Sequence, residues 1–165
     1  MTKLVGLAGF SRCGKDTAAK NMPNWRRFAF ADELKGMLGP IFHTIGCDLN
    51  LPDHKEKARP LMVALGATAR AFWPSFWIDA LFRHIDRHHF DFCAVITDVR
   101  YANEVKVILE KNGIVIGIKR PGIRPANEEE AASFHQIELS YPNMPVVENG
   151  STPEELGRKV LELIK

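Results

Sequence analysis

No stretch of this 165-residue chain approaches the roughly 18 uninterrupted apolar residues that a membrane span requires, so no membrane partner is expected. The amino terminus also lacks the long apolar region and cleavage site of a secretory signal, because Met1-Thr2-Lys3 leads straight into a short apolar run. Cysteine is scarce. Cys13, Cys47 and Cys93 are odd in number and have no metal-ligand spacing, which argues for free thiols in a reducing compartment and makes the cytoplasm the expected location. Excess charge of either sign is missing too: a formal net charge of +2 argues against a nucleic-acid partner, which would draw a concentrated basic face. There is no N-K-x-D guanine signature and no H-E-x-x-H zinc motif. His84 and His88 have i, i+4 spacing, with His89 beside them, but no third ligand has convincing spacing, and the three read as a solvated helix face. No internal repeat or low-complexity tract divides the chain, so residues 1–165 are expected to form one domain.

Short apolar runs punctuate the sequence at Lys3 to Ala8, Phe28 to Phe30, Cys93 to Thr97, Ile114 to Ile118 and Pro145 to Val147. Helical patterns separate most of them: Lys15 to Asn21, Asp32 to Ile45, Pro60 to Arg70, Phe76 to His88, Ala102 to Lys111 and Pro153 to Ile164. Runs as continuous as Ala94-Val95-Ile96 suit strands covered on both faces, which predicts a three-layer α/β domain with a five-stranded parallel sheet. Two segments break the alternation and read as insertions over a binding face. One spans about 47–92, and the other, about 121–143, is polar, proline-punctuated and acidic at Glu128-Glu129-Glu130.

The first apolar run ends in Gly9-Phe10-Ser11-Arg12-Cys13-Gly14-Lys15-Asp16-Thr17, a G-x-x-x-x-G-K phosphate-binding loop between a strand and a helix. Its glycines let the backbone turn so that several N–H groups face one anion, and Lys15 adds a mobile full charge for the terminal phosphates. Asp16 stands where the commonest form of the loop has its magnesium-binding Ser or Thr, and Thr17 follows one place late. This G-K-x-T variant occurs in nucleoside monophosphate kinases such as adenylate kinase. The whole loop, Gly9 to Thr17, is therefore expected to hold ATP. Cys13 is either a small residue fitting a crowded loop or a thiol whose pKa falls beside Lys15.

In an open parallel sheet, ligands collect at the carboxyl ends of the strands. Asp98 and Arg100 end the third run, the first suited to orienting a magnesium-bound water and the second to gripping a phosphate. Asp32, Lys35, Arg59 and Arg70 form a second polar set for an acceptor. Arg59 and Arg70 lie eleven residues apart, about three helical turns, and can share a face. Phe72, Trp73, Phe76 and Trp77 make an aromatic cluster, with Trp77 the ring expected on a nucleobase. Arg120 and Arg124 bracket Pro121-Gly122-Ile123 at the start of the polar segment, where they can close onto transferring phosphates. Glu148-Asn149-Gly150 ends the fifth run, and Asn149 is the candidate for contacts to the ATP base.

Taken together, Gly9 to Thr17, Phe30-Ala31-Asp32-Glu33-Leu34-Lys35, Arg59 with Leu65-Gly66 and Arg70, Phe76-Trp77-Ile78-Asp79, Asp98-Val99-Arg100 with Asn103-Glu104, and Glu148-Asn149 resemble the deoxynucleoside monophosphate kinases of tailed bacteriophages and their hosts. The weakest match is His135-Gln136-Ile137-Glu138, where members of that family often carry a Ser-Glu pair near a histidine. The resemblance implies a P-loop kinase fold that moves the ATP γ-phosphate to a deoxynucleoside 5′-monophosphate. It implies magnesium held by Asp16, Thr17 and Asp98, transfer aided by Lys15, Arg100, Arg120 and Arg124, and acceptor contacts from Asp32, Lys35, Arg59, Arg70, Trp77 and Arg100. The insertion at about 47–92 is read as the acceptor-binding segment and that at about 121–143 as a lid, and a homodimer is one expected assembly. The readings that compete with this resemblance are another small-molecule P-loop kinase, such as dephospho-coenzyme A kinase, and a non-catalytic nucleotide switch.

Overall fold

The computed structural model describes residues 3–87 and 92–164. Its elements in chain order are β1 (Leu4–Ala8), α1 (Lys15–Lys20), β2 (Trp25–Phe28), α2 (Phe30–Thr44), α3 (Pro52–Phe72), α4 (Phe76–Arg87), β3 (Cys93–Val99), α5 (Ala102–Glu110), β4 (Ile114–Lys119), α6 (Glu128–Ser140), β5 (Val146–Glu148) and α7 (Pro153–Glu162). They divide into two compact units, Met1–Ala29 with Asp91–Lys165, and Phe30–Phe90.

The first unit is an α/β domain around a five-stranded sheet of order β2-β3-β1-β4-β5, in which every pairing is parallel. Side-chain alternation assigns its helices to two faces. Val5, Leu7, Val95, Ile116 and Ile118 point to one side and are buried with Ala18 and Met22, from α1 and the turn after it, and with Leu156 and Val160 of α7. Each of the valine, leucine, isoleucine and methionine side chains among them contributes about 1.5–3 kcal/mol. The intervening positions face α5: a side chain on Gly6 would meet Ile108 Cδ1 at 2.7 Å and Val99 Cγ2 at 3.0 Å. Sheet and flanking helices thus make the three layers that the continuous apolar strands predict. All five strands run the same way, so the segments leaving β1, β3, β4 and β5 gather at one edge. β1 lies between β3 and β4, where the order of connection reverses, and such a crevice is where open sheets bind ligands.

Two elements of the first unit differ from the sequence reading. β2 lies three residues earlier, because Trp25, Arg26 and Arg27 pair with Cys93, Ala94 and Val95 even though their charge hides the strand pattern. The polar segment after β4 contains α6, capped by Asn127 through a 2.8 Å bond from the Glu130 N–H. Phe134 and Ile137 on this helix are buried, so the part of the expected lid that precedes the packed helix is the stretch 121–127.

The second unit is helical. Leu38 and Phe42 of α2 pack with Ala58 and Met62 of α3, with Leu34, Cys47 and Leu49 around them. Helix α3 starts eight residues before Pro60, at a first-turn proline followed by Asp53. Pro60 lies inside it, where its missing N–H leaves the Glu56 carbonyl without its usual partner. Among the described residues no helix is long and apolar enough to cross a membrane. His88 and His89 lie outside the described residues.

Candidate active site

Between β1 and α1 the backbone turns through three left-handed or otherwise positive-φ residues, Gly9 (φ 141°), Arg12 (φ 65°) and Gly14 (φ 108°). This curls the chain into a tight loop, closed by a 3.2 Å bond from the Cys13 N–H to the Phe10 carbonyl. Lys15 folds back over it, its Nζ donating to the Gly9 and Phe10 carbonyls at 2.7 Å each. The ammonium group therefore sits at the mouth of the loop, held by carbonyls that a phosphate can replace.

Two side chains brace the loop from behind. Asn149, after β5, donates from Nδ2 to the Cys13 carbonyl at 2.8 Å, and its own N–H bonds the Lys119 carbonyl at 2.7 Å. The Asn149 amide nitrogen is thus engaged with the loop itself. On another side, the Ser11 N–H donates to Glu130 Oε1 at 2.9 Å, and the Phe10 ring meets the buried Phe134 edge-on at 5.2 Å. Gly14 is required twice over, since its φ disfavours any side chain and a Cβ there would overlap Asn149 Nδ2. Gly14→Ala is expected to lower stability by about 1–3 kcal/mol and to weaken ATP binding more than about tenfold. Thermal unfolding and titration with an ATP analogue check this; unchanged affinity would contradict the braced loop.

Asp16 opens α1 and is fixed by two donors, Arg27 Nε at 2.9 Å and Thr97 Oγ1 at 2.8 Å. Burial works to raise its carboxyl, but the hydrogen bonds from Arg27 and Thr97, with the charges of Arg27 and Lys15, outweigh it and hold the pKa below the ordinary 3.8. A carboxyl depressed by folding stabilises the fold above its unfolded pKa and loses that contribution as pH falls through the folded one. Compared by melting temperature, the wild type should exceed Asp16→Asn by a constant margin above about pH 5, and the margin should shrink below about pH 4. A margin that grows on acidification would contradict the assignment. Cys13 behaves oppositely to a reactive thiol: it is buried, and burial raises its pKa despite Lys15 Nζ 3.6 Å away. It is the small packing residue of the loop.

Arg100 leaves the carboxyl end of β3 with its guanidinium about half exposed, Nη1 lying 3.8 Å from Glu130 Oε1. Its backbone is anchored independently, because Glu104 Oε2 accepts from the Arg100 and Tyr101 N–H groups at 2.7 and 3.1 Å. Asp98 is half-buried at the end of the same strand. Arg120 and Arg124 are exposed on the loop after β4 and make no ion pair with the described residues. The sheet thus brings the phosphate loop, Asp98, Arg100, Arg120 and Arg124 to one edge. Among the described residues no group of three or more His, Cys, Asp or Glu is arranged to hold a metal.

The candidates of the second unit fall into separate places. Asp32 and Lys35 pair with each other at 2.9 Å on one turn of α2. Arg59, largely exposed, pairs with Glu56 at 3.0 Å. Arg70 lies beside Gly66, where an added Cβ would be 3.7 Å from its Nη2. Arg59 and Arg70 share a face of α3, about 16 Å apart along its axis. Trp77 is not a stacking ring: it is 4% exposed, and its indole N–H donates to the Gly66 carbonyl at 3.1 Å. Its aromatic neighbours are the open ones. Phe72, Trp73 and Phe76 line a cavity of about 560 Å³ with Glu33, Asp79 and Arg83. Trp73 is oriented there by bonds from its N–H to Ser75 Oγ at 2.7 Å and Asp79 Oδ2 at 3.0 Å. Asp32, Lys35, Arg59 and Arg70 do not line that cavity.

No family model matches the chain. Among curated proteins it is similar to one from Acanthamoeba polyphaga mimivirus named "Putative deoxynucleotide monophosphate kinase", 27% identical over 191 residues and covering 98% of this chain and 95% of that one. Among solved structures it is similar to TT1252 from Thermus thermophilus, with a TM-score of 0.53 at 14% identity over 99% of this chain and 96% of the other. Dephospho-CoA kinase from Campylobacter jejuni aligns at a TM-score of 0.49 and 17% identity, over 99% of this chain and 98% of its own. The likeness to TT1252 is one of fold, and the likeness to the viral protein runs through nearly the whole of both sequences.

Proposed function

We propose that this protein is a phosphotransferase that moves the γ-phosphate of ATP to a deoxynucleoside 5′-monophosphate, giving the diphosphate. The observation that carries the proposal is the loop Gly9–Thr17, with its three positive-φ turns and Lys15 Nζ resting on its carbonyls at the sheet edge that also carries Arg100. The name of the viral relative supports the choice of acceptor.

A monophosphate with a second pKa of about 6 is largely dianionic near neutrality, so its attacking oxygen needs no general base. Catalysis then rests on alignment and positive charge. In this mechanism the loop amides and Lys15 hold the triphosphate, Arg100 grips the acceptor phosphate in bidentate fashion, and Arg120 and Arg124 approach the transferring group from the exposed loop after β4. Keeping water from that group prevents ATP hydrolysis. The open rings of Phe72, Trp73 and Phe76 suit a nucleobase, and Asp32, Lys35, Arg59 and Arg70 remain the second unit's candidates for polar acceptor contacts.

The donor set fits a magnesium ion carried in by the triphosphate, which takes one or two carboxylates besides phosphate oxygens and water rather than a protein cage. Asp16, Thr17 and Asp98 are the residues that would hold it; Asp16 is tied to the end of β3 through Thr97, the neighbour of Asp98. Bound there, the ion would neutralise charge developing on the phosphates. A coupled ADP-release assay with ATP and magnesium, run against all four deoxynucleoside monophosphates and dephospho-coenzyme A, tests the proposal. Stimulation by at least one of the monophosphates is expected. Stimulation by dephospho-coenzyme A alone, or by none, would overturn it.

A further inference from the structure

Glu130, in the first turn of α6, is a carboxylate only 8% exposed, and both of its oxygens are held by backbone. Oε1 accepts from the Ser11 N–H at 2.9 Å and Oε2 from the Ala126 N–H at 2.7 Å. Arg100 Nη1 lies 3.8 Å from the same Oε1, beyond a good hydrogen bond yet well within the range of charge attraction. Burying a carboxylate is costly unless it is paired, and here two amides and one cation offset that cost. One oxygen atom therefore joins the phosphate loop to the arginine proposed to grip the acceptor.

We propose that Glu130 is a positioning residue: it fixes the Ser11 peptide of the loop and holds the Arg100 guanidinium in readiness until a phosphate takes it over. The second half of this rests on the kinase reading above; the first half does not. The peptide it fixes adjoins Arg12, a non-glycine residue at φ 65°, a conformation that persists only when its surroundings enforce it. Arg100 is about half exposed and loosely held, so a phosphate dianion offering two short charge-assisted bonds displaces Glu130 as its partner. Glu130 keeps its place after that exchange, because neither amide bond depends on Arg100. The guanidinium thus moves between two anions over a short path instead of being ordered from solvent.

The test is a double-mutant cycle with a binding arm. Glu130→Gln keeps the shape but removes the charge and sets an amide nitrogen against one of the two N–H groups. It is expected to weaken ADP binding, measured by titration, about tenfold and to lower kcat with the preferred deoxynucleoside monophosphate about 10- to 100-fold. In an Arg100→Ala background the same change should cost kcat less than about threefold, since the group it aims is gone. Ile137→Val, fully buried in the same helix, controls for loosened packing and should leave ADP affinity within about twofold. Losses that multiply in full across the cycle would overturn the role through Arg100. An Ile137→Val protein that loses ADP affinity as Glu130→Gln does would overturn the loop clamp. A wild type that phosphorylates none of the monophosphates would defeat the kinase reading and, with it, the role of Arg100, while the ADP titration still decides the clamp.

Discussion

Replacing Lys15 with alanine should lower phosphoryl transfer by on the order of 10³-fold, the loss seen when a principal charge on a transferring phosphate is removed. The ammonium group bonds two loop carbonyls at 2.7 Å, so the substitution removes both the cation and the contacts that keep it at the mouth of the loop. No core side chain is removed: Lys15 Nζ touches the buried Cys13 Sγ at 3.6 Å, but the hydrophobic set behind the loop, Val5, Leu7, Ile116 and Leu156, is left whole. The melting temperature should therefore move little while transfer collapses. Steady-state kinetics beside thermal unfolding distinguishes this from simple misfolding. A variant with transfer within tenfold of wild type would show that Lys15 does not serve the reaction.

Arg100→Ala should act differently. It should cut kcat/KM for the acceptor by about 10²- to 10³-fold and leave KM for ATP within about threefold, because the arginine is assigned to the acceptor and not to the loop. The substitution is unusually clean. Glu104 anchors the Arg100 and Tyr101 backbone through its carboxylate and is itself 4% exposed, so the turn from β3 into α5 survives loss of the guanidinium. Equal losses for ATP and acceptor would place Arg100 on the triphosphate instead.

The loop Gly9–Thr17 is legible in sequence because the chemistry proposed for it depends on backbone amides, which need glycine at fixed spacing, and on one lysine. The positions of Asp98 and Arg100 are legible too, because they follow the end of an apolar run and so fall at the carboxyl edge of the sheet. Glu130 is not legible. Three consecutive acids at a helix start read as solvated partners of the helix dipole, and nothing local says that the third accepts from an amide 119 residues earlier. The bond from Asn149 to the Cys13 carbonyl is not legible either, because the sequence cannot tell an amide aimed at a ligand from one aimed at a carbonyl. Among the aromatics, Trp77 looked like the natural stacking ring, yet a helical turn decides which rings face inward, and it leaves Phe72, Trp73 and Phe76 open. The early start of α3 was hidden by Pro60, which reads as a first-turn proline although Pro52 holds that position.

The most direct measurement follows the γ-phosphate itself. With ATP labelled at that position, magnesium and each deoxynucleoside monophosphate in turn, label should appear on the corresponding deoxynucleoside diphosphate for at least one base, in amounts equal to the ADP formed. Label found only in inorganic phosphate, or retained in ATP with every acceptor, would contradict the account.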